Sequence, residues 1–590
     1  MLAGAILGVE HSVTGKRWRP RLDDDRAAMA LAQQLDLPEA LARVLAARKV
    51  APEDVGSFLQ PSLKAFLPDP SVLKGMDQAV TRLADAVEAG ETIGVFGDYD
   101  VDGATSSALL VHYFRALDVA TDVHIPDRQK EGYGPNAPAI VALRDRGAGP
   151  VVTVDCGISA YDPLRLAAEA GIDVIVLDHH AAEPDLPMAC AVVNPNRIDD
   201  TSGLGHLAAV GVTFMTIVAL NRELRKRGWF AERQEPDLMR WLDIVALGTV
   251  CDSVPLVGLN RALATQGLKV MAGRLNTGLT ALADIGRITE KPTAYHAGFV
   301  LGPRINAGGR IGSPDLGVRL LTTTDPDEAA GLALKLDSLN GERQEIERGV
   351  LAAALAAAEV QEGRNCIVVS GEGWHPGVIG IVASRVVERF HRPAFVIAVN
   401  DGIGKGSGRS LAGVDLGGAV TAARQAGLLV NGGGHPMAAG LTVEAGKLQE
   451  LSDFLDERVA KSVSERPSVP ELGVDGALSA GAATVELLQT IERMGPFGIG
   501  NAEPRFAIMG ARVVKADVVG ENHVRAILSS ADGGRLKAIA FRALSQPIGD
   551  ALMARGGGDL HLAGHLRIDR WQGNERAQLI IEDVAHAAGP

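Results

Sequence analysis

The sequence predicts an α/β protein in which a parallel-sheet domain is joined by a long helix to a smaller α/β domain, with a β-barrel at the C-terminal end. Three observations carry this expectation. From about residue 76 to 215, short buried-type runs (TIGVFG, VVTVD, VIVLD) alternate with helical patterns, the signature of a parallel sheet covered by helices. Next, ALKLDSLNGERQEIERGVLAAALAAAEV places apolar residues at 332, 336, 339, 346, 350 and 354–355, near the helical period and among good helix formers. Finally, strand-like runs recur near 505–518, 523–529, 535–541, 559–571 and 576–584.

Residues 1–75 read as a helical preface. Asp23–Asp25 precede AAMALAQQL, LPEALARVLAARKV follows, and Pro52, Pro61, Pro68 and Pro70 break the pattern. Its basic-aromatic KRWRP (Lys16–Pro20) is expected to be an exposed arm, with nucleic-acid contact as the alternative. The first α/β domain is expected over 76–335 and includes DLMRWLDIVALGTV, which delivers Asp252 to the strand ends. A connecting helix is expected over 336–361, and the second α/β domain over 362–460, built on CIVVSG, GVIGIVASRVVERF and AFVIAV. A polar Ser/Pro linker, KSVSERPSVP, leads to a tail over 471–590. Five strands with the helix-like ALSQPIGDALMARG between the third and fourth suit an OB-fold, a common single-strand-binding module. His523, Phe541 and Trp571 are candidates for stacking on bases, or are simply barrel residues.

At 590 residues the chain is too long for one core. No apolar run approaches the ~18 residues of a spanning helix, and MLAGAILGVEHS lacks a secretory pattern, so a cytoplasmic protein is expected. Four cysteines without CxxC spacing indicate neither a zinc site nor a disulfide framework. A net charge of −14 argues against a uniformly basic surface, while leaving room for a local basic channel. Candidates for that channel are Arg304, Arg310, Lys405 and Arg409, with Arg505, Arg525, Arg567, Arg570 and Arg576 in the tail.

Chemistry concentrates in clusters that follow apolar runs: FGDYDVDG (Asp98, Asp100, Asp102), VTVDCG (Asp155), IVLDHH (Asp178, His179, His180) and ALGTVCDSVPL (Asp252). In an open α/β sheet, ligands bind outside the carboxyl ends of the strands, so these acids should converge. Converging carboxylates repel one another unless a cation neutralises them. Carboxylates with imidazole suit Mn²⁺ at least as well as Mg²⁺. Tyr99 and Cys251 are expected to be structural, and His112, His124 and His206 to be core or surface histidines. GPRINAGGRIG, GKGSGRS and NGGGHPMAAG are glycine-rich, as phosphate-binding loops are. Arg304, Asn306, Ser407, Arg409 and His435 supply their donors.

GDYDVDGATS, VDCG, LDHH, GTVCDSVPL, PRINAGGR, SGRS and GGGHPMAAG, in this order, resemble the DHH phosphoesterase superfamily, and within it the single-strand-specific exonucleases. GPFGIGNAEPRF and WQGNERAQLIIEDV fit the same branch. The resemblance implies a DHH parallel-sheet domain, a DHH-associated second domain and an OB-fold tail; any further C-terminal domain of longer relatives is expected to be missing. It also implies a 5′-to-3′ exonuclease that releases 5′-mononucleotides from single-stranded DNA in recombination and repair. Two Mn²⁺ or Mg²⁺ ions would be held by Asp98, Asp100, Asp102, Asp155, Asp178, His179 and Asp252. Asp100, Asp102, Asp155, His179, His180 and Asp252 would form the catalytic set, and Arg304, Asn306, Ser407, Arg409 and His435 would grip phosphates. A RecQ-like helicase, a single-stranded-DNA-binding protein and a monomeric state belong to the same expectation. The alternatives are a DHH hydrolase of nanoRNA, phosphoadenosine phosphate or a cyclic dinucleotide, and a non-catalytic DNA-binding scaffold.

Overall fold

The computed structural model describes residues 4–128, 130–465, 469–554, 558–571 and 574–587. It divides into a larger unit, Pro70–Asp252 with Val270–Pro467, and a smaller one, Met1–Asp69 with Ser253–Lys269 and Ser468–Pro590. Strand β1 (Arg17–Pro20) belongs to the smaller unit.

The larger unit opens on a five-stranded parallel sheet of β2 (Thr92–Gly97), β3 (Thr121–His124), β4 (Ala148–Val154), β5 (Val174–Leu177) and β6 (Ala191–Val193). The order is β3-β2-β4-β5-β6, so the chain leaves β2 toward one side and returns to β4 on the other. That reversal is a topological switch point, where open α/β sheets bind ligands. Register then does the positioning: Gly97 pairs with Val154, Val154 with Leu177 and Leu177 with Val193. The next residues, Asp98, Asp155, Asp178 and Asn194, therefore stand in a row along one sheet edge. The helix Val101–Ala116 packs tightly behind β2. A Cβ on Gly103 would come within 2.4 Å of the Asp98 carbonyl oxygen, and one on Gly97 within 2.2 Å of Ser107 Oγ.

The connecting helix begins ten residues before its expected start and runs Pro326–Glu359. Asp325 caps it, accepting from the amides of Asp327 and Glu328, and Pro326 supplies a preset φ in the first turn. Beyond it lies a mixed sheet of β7 (Ile367–Glu372), β8 (Ala394–Asn400), β9 (Ile403–Arg409), β10 (Asn431–His435) and β11 (Ala438–Glu444), ordered β10-β11-β9-β8-β7. GKGSGRS lies mostly in β9, and NGGGHPMAAG is the β10–β11 hairpin, so both are largely strands rather than loops. The reason is the period of two in a strand. Gly404, Gly406 and Gly408 turn to the core, where Cβ atoms would meet Ile397, Leu441 and Phe395 at 2.7, 2.7 and 2.4 Å. Lys405, Ser407 and Arg409 occupy the other face.

In the smaller unit, β12 (Glu471–Val474) pairs with β1 in parallel. A six-stranded sheet combines β13 (Gly476–Leu478), β14 (Arg505–Val519), β15 (His523–Ser529), β16 (Arg535–Ala540), β17 (Leu560–Trp571) and β18 (Asn574–His586). Pairing of β14 with β17 closes it into a barrel, with the helix Pro547–Met553 between β16 and β17. The N-terminal preface is part of this body: Leu41, Val44 and Leu45 share one core with Phe506, Leu562 and Leu579. KRWRP is not an exposed arm, because Trp18 is fully buried and donates its indole N–H to Asp583 at 2.8 Å. Of the stacking candidates, Phe541 is 56% exposed and packs edge-on with His523, their centroids 5.2 Å apart. The side chain of Trp571 lies outside the described residues. Among the described residues, no helix is long and apolar enough to cross a membrane.

A candidate metal centre and an adjoining cationic pocket

The strand-end row gathers three overlapping donor groups: Asp98, Asp100 and Asp155; Asp102, His179 and Asp252; and Asp155, His179 and His180. Within each, the donor atoms lie within 4.8 Å of one another. Local structure fixes each side chain. Asp100 caps the helix Val101–Ala116, accepting from the Asp102 and Gly103 amides at 2.8 and 3.1 Å. Asp102 accepts from the first amides of the helix Ala209–Lys226, Ala209 at 2.6 Å and Val210 at 2.9 Å. Asp252 follows the last turn of the helix Leu242–Cys251. Asp155 sits at φ 61°, a left-handed conformation uncommon outside glycine, which aspartate adopts more readily than most residues.

His179 is set as a neutral ligand. Its Nδ1 lies 3.0 Å from the Leu207 carbonyl oxygen. A carbonyl can only accept, so Nδ1 carries the proton and Nε2 is left bare toward the acids. Nε2 stands 3.3 Å from Asp155 Oδ1 and 3.6 Å from Asp252 Oδ2, yet none of these three buried atoms, nor Asp98 Oδ1, has a hydrogen-bond partner among the described residues. Unpaired buried polar atoms are costly, and here they converge on one place with a donor set suited to Mn²⁺ or Mg²⁺. The residues therefore fit divalent metal.

Burial, with charge repulsion added to it, works against ionising these acids and so favours a cation among them. Burial, and then the neighbouring Asp102 and Asp100, push Asp252 up to about 9. Burial and Asp100 push Asp102 up to about 7. Asp98 and Asp155 are raised well above the usual carboxylate range by burial and by Asp100. Burial, helped by the adjacent His180, lowers His179 to about 4.

Asp178 behaves differently. Its carboxylate accepts from the amides of Ile158 at 3.0 Å, His179 at 2.7 Å and His180 at 3.1 Å, and from His180 Nδ1 at 2.7 Å. Although burial opposes it, the His180 hydrogen bond holds Asp178 below its ordinary range. His180 is raised in return, again against burial. Asp178 thus shapes the LDHH turn and stands in none of the donor groups, unlike its expected role as a ligand. Its Oδ1 is taken by the His179 and His180 amides and His180 Nδ1, and its Oδ2 accepts from the Ile158 amide.

A cavity of about 380 Å³ adjoins the centre, lined by Arg128, Arg310, Lys405, Ser407, Asn431 and Thr442 among others. The guanidinium of Arg128 lies 5.3 Å from the ring of Tyr99, the residue between Asp98 and Asp100. The helix carrying Arg310 touches the same turn, where a Cβ on Gly309 would be 2.4 Å from the Tyr99 carbonyl oxygen. Arg409 donates to Ser407 Oγ at 3.1 Å. Burial, then Arg128, lowers both Arg310, to about 10, and Arg409. The guanidiniums of Arg128 and Arg310, with Lys405 and Ser407 beside them, form a site for an anion.

Of the five expected phosphate donors only Ser407 lines this cavity, with Arg409 behind it on Ser407 Oγ. Arg304 is spent on Asp337 at 2.9 Å and on the Val300 carbonyl, because six residues along a helix turn it about 240° away from Arg310. Asn306 is half-buried on that helix and does not line the cavity. His435 is exposed at the end of β10, where Asn431 and its glycines line the cavity instead. Sequence reasoning missed Arg128 and Tyr133, both from PDRQKEGYGPN. This segment follows β3 at the carboxyl edge of the sheet, a position that marks functional loops.

Family models match the chain in three places: the DHH family N-terminal domain at 92–249, the DHHA1 domain at 363–461 and the RecJ OB domain at 474–583. The single-stranded-DNA-specific exonuclease RecJ of Salmonella typhimurium is 39% identical over 93% of this chain and 96% of its own. The crystal structure of RecJ in complex with Mn²⁺ from Thermus thermophilus aligns with a TM-score of 0.80 at 30% identity, covering 96% of this chain and 78% of that one. Its counterpart with Mg²⁺ aligns at 0.73 and 27% identity, over the same shares.

Proposed function

Because the chain belongs to the RecJ family of single-stranded-DNA-specific exonucleases, we propose that it degrades single-stranded DNA from the 5′ end and releases 5′-mononucleotides. The observation that carries this reading is that the residues of the cationic pocket reach the acidic turn through Tyr99, which Arg128 and the helix of Arg310 both touch. A strand has a terminal phosphate at its 5′ end and a hydroxyl at its 3′ end. A pocket lined by Arg128, Arg310, Lys405 and Ser407 therefore favours the 5′ end. Cleavage between phosphorus and the 3′ oxygen of the first nucleotide leaves a new 5′ phosphate on the strand, which the same pocket can take.

The cofactors are Mn²⁺ or Mg²⁺, two ions in this reading, which when bound stabilise the developing charge and lower the pKa of the attacking water. Asp98, Asp100, Asp102, Asp155, His179 and Asp252 hold them. His180, its Nδ1 tied to Asp178, uses Nε2 to protonate the leaving 3′ oxygen. An enzyme confined to single strands needs duplex opened for it, so a RecQ-like helicase and a single-stranded-DNA-binding protein are its partners in recombination and repair. A cytoplasmic, monomeric enzyme completes the reading.

The test is a Mn²⁺-dependent time course on single-stranded DNA labelled at either end, with duplex and dinucleotide controls. Early release of 5′ label as mononucleotide, with long 3′-labelled intermediates and intact duplex, is the expected result. Early loss of the 3′ label would overturn the polarity. Cleavage of the dinucleotide alone would favour a small-substrate hydrolase, and no cleavage a scaffold.

A further inference from the structure

We infer that Tyr133 positions His180 and that the loop from Asp127 to Asn136 is built to present it. The inference rests on the nuclease reading above. Tyr133 Oη lies 3.3 Å from both His180 Nδ1 and the Asp155 carbonyl oxygen. Its ring meets that of His180 edge-on, with centroids 5.9 Å apart at 74°. Asp178 only accepts, so the 2.7 Å contact from His180 Nδ1 places a proton on that nitrogen. The phenol oxygen stands 3.3 Å from the same Nδ1–H and donates its own O–H to the Asp155 carbonyl oxygen. His180 is then held by a carboxylate on one side and a phenol on the other, leaving only Nε2 to hold or give up a proton.

The loop shows why a side chain sits there. Gly132 and Gly134 flank Tyr133 at φ 88° and 81°, left-handed conformations that glycine adopts freely. Glu131 ties the loop to its surroundings: it accepts from the Asp127 amide at 2.8 Å, pairs with His124 Nε2 at 2.9 Å and accepts from Asn136 Nδ2 at 3.2 Å. Asn136 in turn caps the helix Ala137–Asp145 through the Ala139 amide at 2.9 Å. Both ends of the loop are thus anchored, while Tyr133 stays 50% exposed. An aromatic ring that open contributes little to a core. Its two polar contacts are both with the centre.

The experiment compares Tyr133→Phe and Tyr133→Ala, each alone and on a His180→Asn background, using Mn²⁺ and 5′-labelled single-stranded DNA. Single-turnover runs with excess enzyme extend the range on the slow background. Tyr133→Phe is expected to lower kcat roughly tenfold with KM unchanged, as misorientation of a reacting group does. Tyr133→Ala should lower it further, and neither should slow the His180→Asn enzyme, because residues acting through one another are not additive. Wild-type kcat in Tyr133→Phe, or the same fold-loss on both backgrounds, would overturn the inference. A wild-type protein inactive on single strands would overturn the nuclease reading instead, and this inference with it.

Discussion

At the scale of single residues, the centre is a set of carboxylates whose charged forms are disfavoured by burial and then by one another, and this has a measurable sign. Asp102 is pushed up to about 7 and Asp252 up to about 9 in the folded, metal-free chain, against about 4 when unfolded. Between those values the folded state binds more protons than the unfolded one, so metal-free stability falls as pH rises from about 4 toward 9. Melting curves in chelator should shift down by several degrees from pH 6 to pH 9, and saturating Mn²⁺ should flatten the slope, because binding to the folded state alone stabilises it. Asp252→Asn should raise the metal-free melting temperature at pH 8, while cutting hydrolysis by about 10³-fold or more through loss of metal catalysis. A second residue-scale expectation separates two arginines of one motif. Arg310→Gln should raise KM for 5′-phosphorylated strands by roughly tenfold, the cost of a charge-assisted bond. Arg304→Gln should leave KM near wild type, since its guanidinium is engaged by Asp337. Fluorescence binding with phosphorylated and unphosphorylated 5′ ends checks both. The acids of the centre were legible in the sequence because each terminates an apolar run. The distinction between Arg304 and Arg310 was not, because it depends on the phase of a helix against its neighbours.

At the scale of elements, glycine patterns carried two meanings that composition alone does not separate. GKGSGRS and NGGGHPMAAG read as phosphate loops, and the first does supply Lys405 and Ser407 to the cationic pocket. It does so mainly as a strand, in which alternate glycines let β9 lie flat on Phe395 and Leu441. The alternation of K, S and R between glycines was the available signal. A Gly408→Val substitution puts branched carbons where even a Cβ would stand 2.4 Å from Phe395, and overpacking of this kind costs about 1–3 kcal/mol. The expected result is a lower denaturation midpoint with unchanged slope in urea, and substrate affinity reduced because Ser407 and Arg409 move with the strand. A variant with wild-type stability would show that β9 has room its packing does not suggest.

At the scale of the whole molecule, the barrel strands of the tail stood out in sequence through period-two patterning, but the extent of the body they form did not. Nothing local in residues 1–69 announces a partner 450 residues away; only tertiary packing joins β1 to β12 and buries Leu41, Val44 and Leu45 against Phe506. The link has a polar keystone. Asp583 is fully buried and accepts from Trp18 Nε1 at 2.8 Å, Thr14 Oγ1 at 2.8 Å and the Val584 amide at 2.9 Å. Trp18→Phe keeps most of the apolar volume but strands a buried carboxylate oxygen, at about 1–3 kcal/mol. Trp18→Ala adds a cavity, for roughly 3–5 kcal/mol in total. A fragment spanning 468–590 lacks β1 and the helices that cover its core, so it should fail to fold alone, with collapsed near-ultraviolet dichroism and no cooperative melt. Adding a 4–69 polypeptide in trans should restore both, and should do so less well when that polypeptide carries Trp18→Phe. A fragment of 468–590 that melts cooperatively on its own would mean that the preface decorates the barrel rather than completing it.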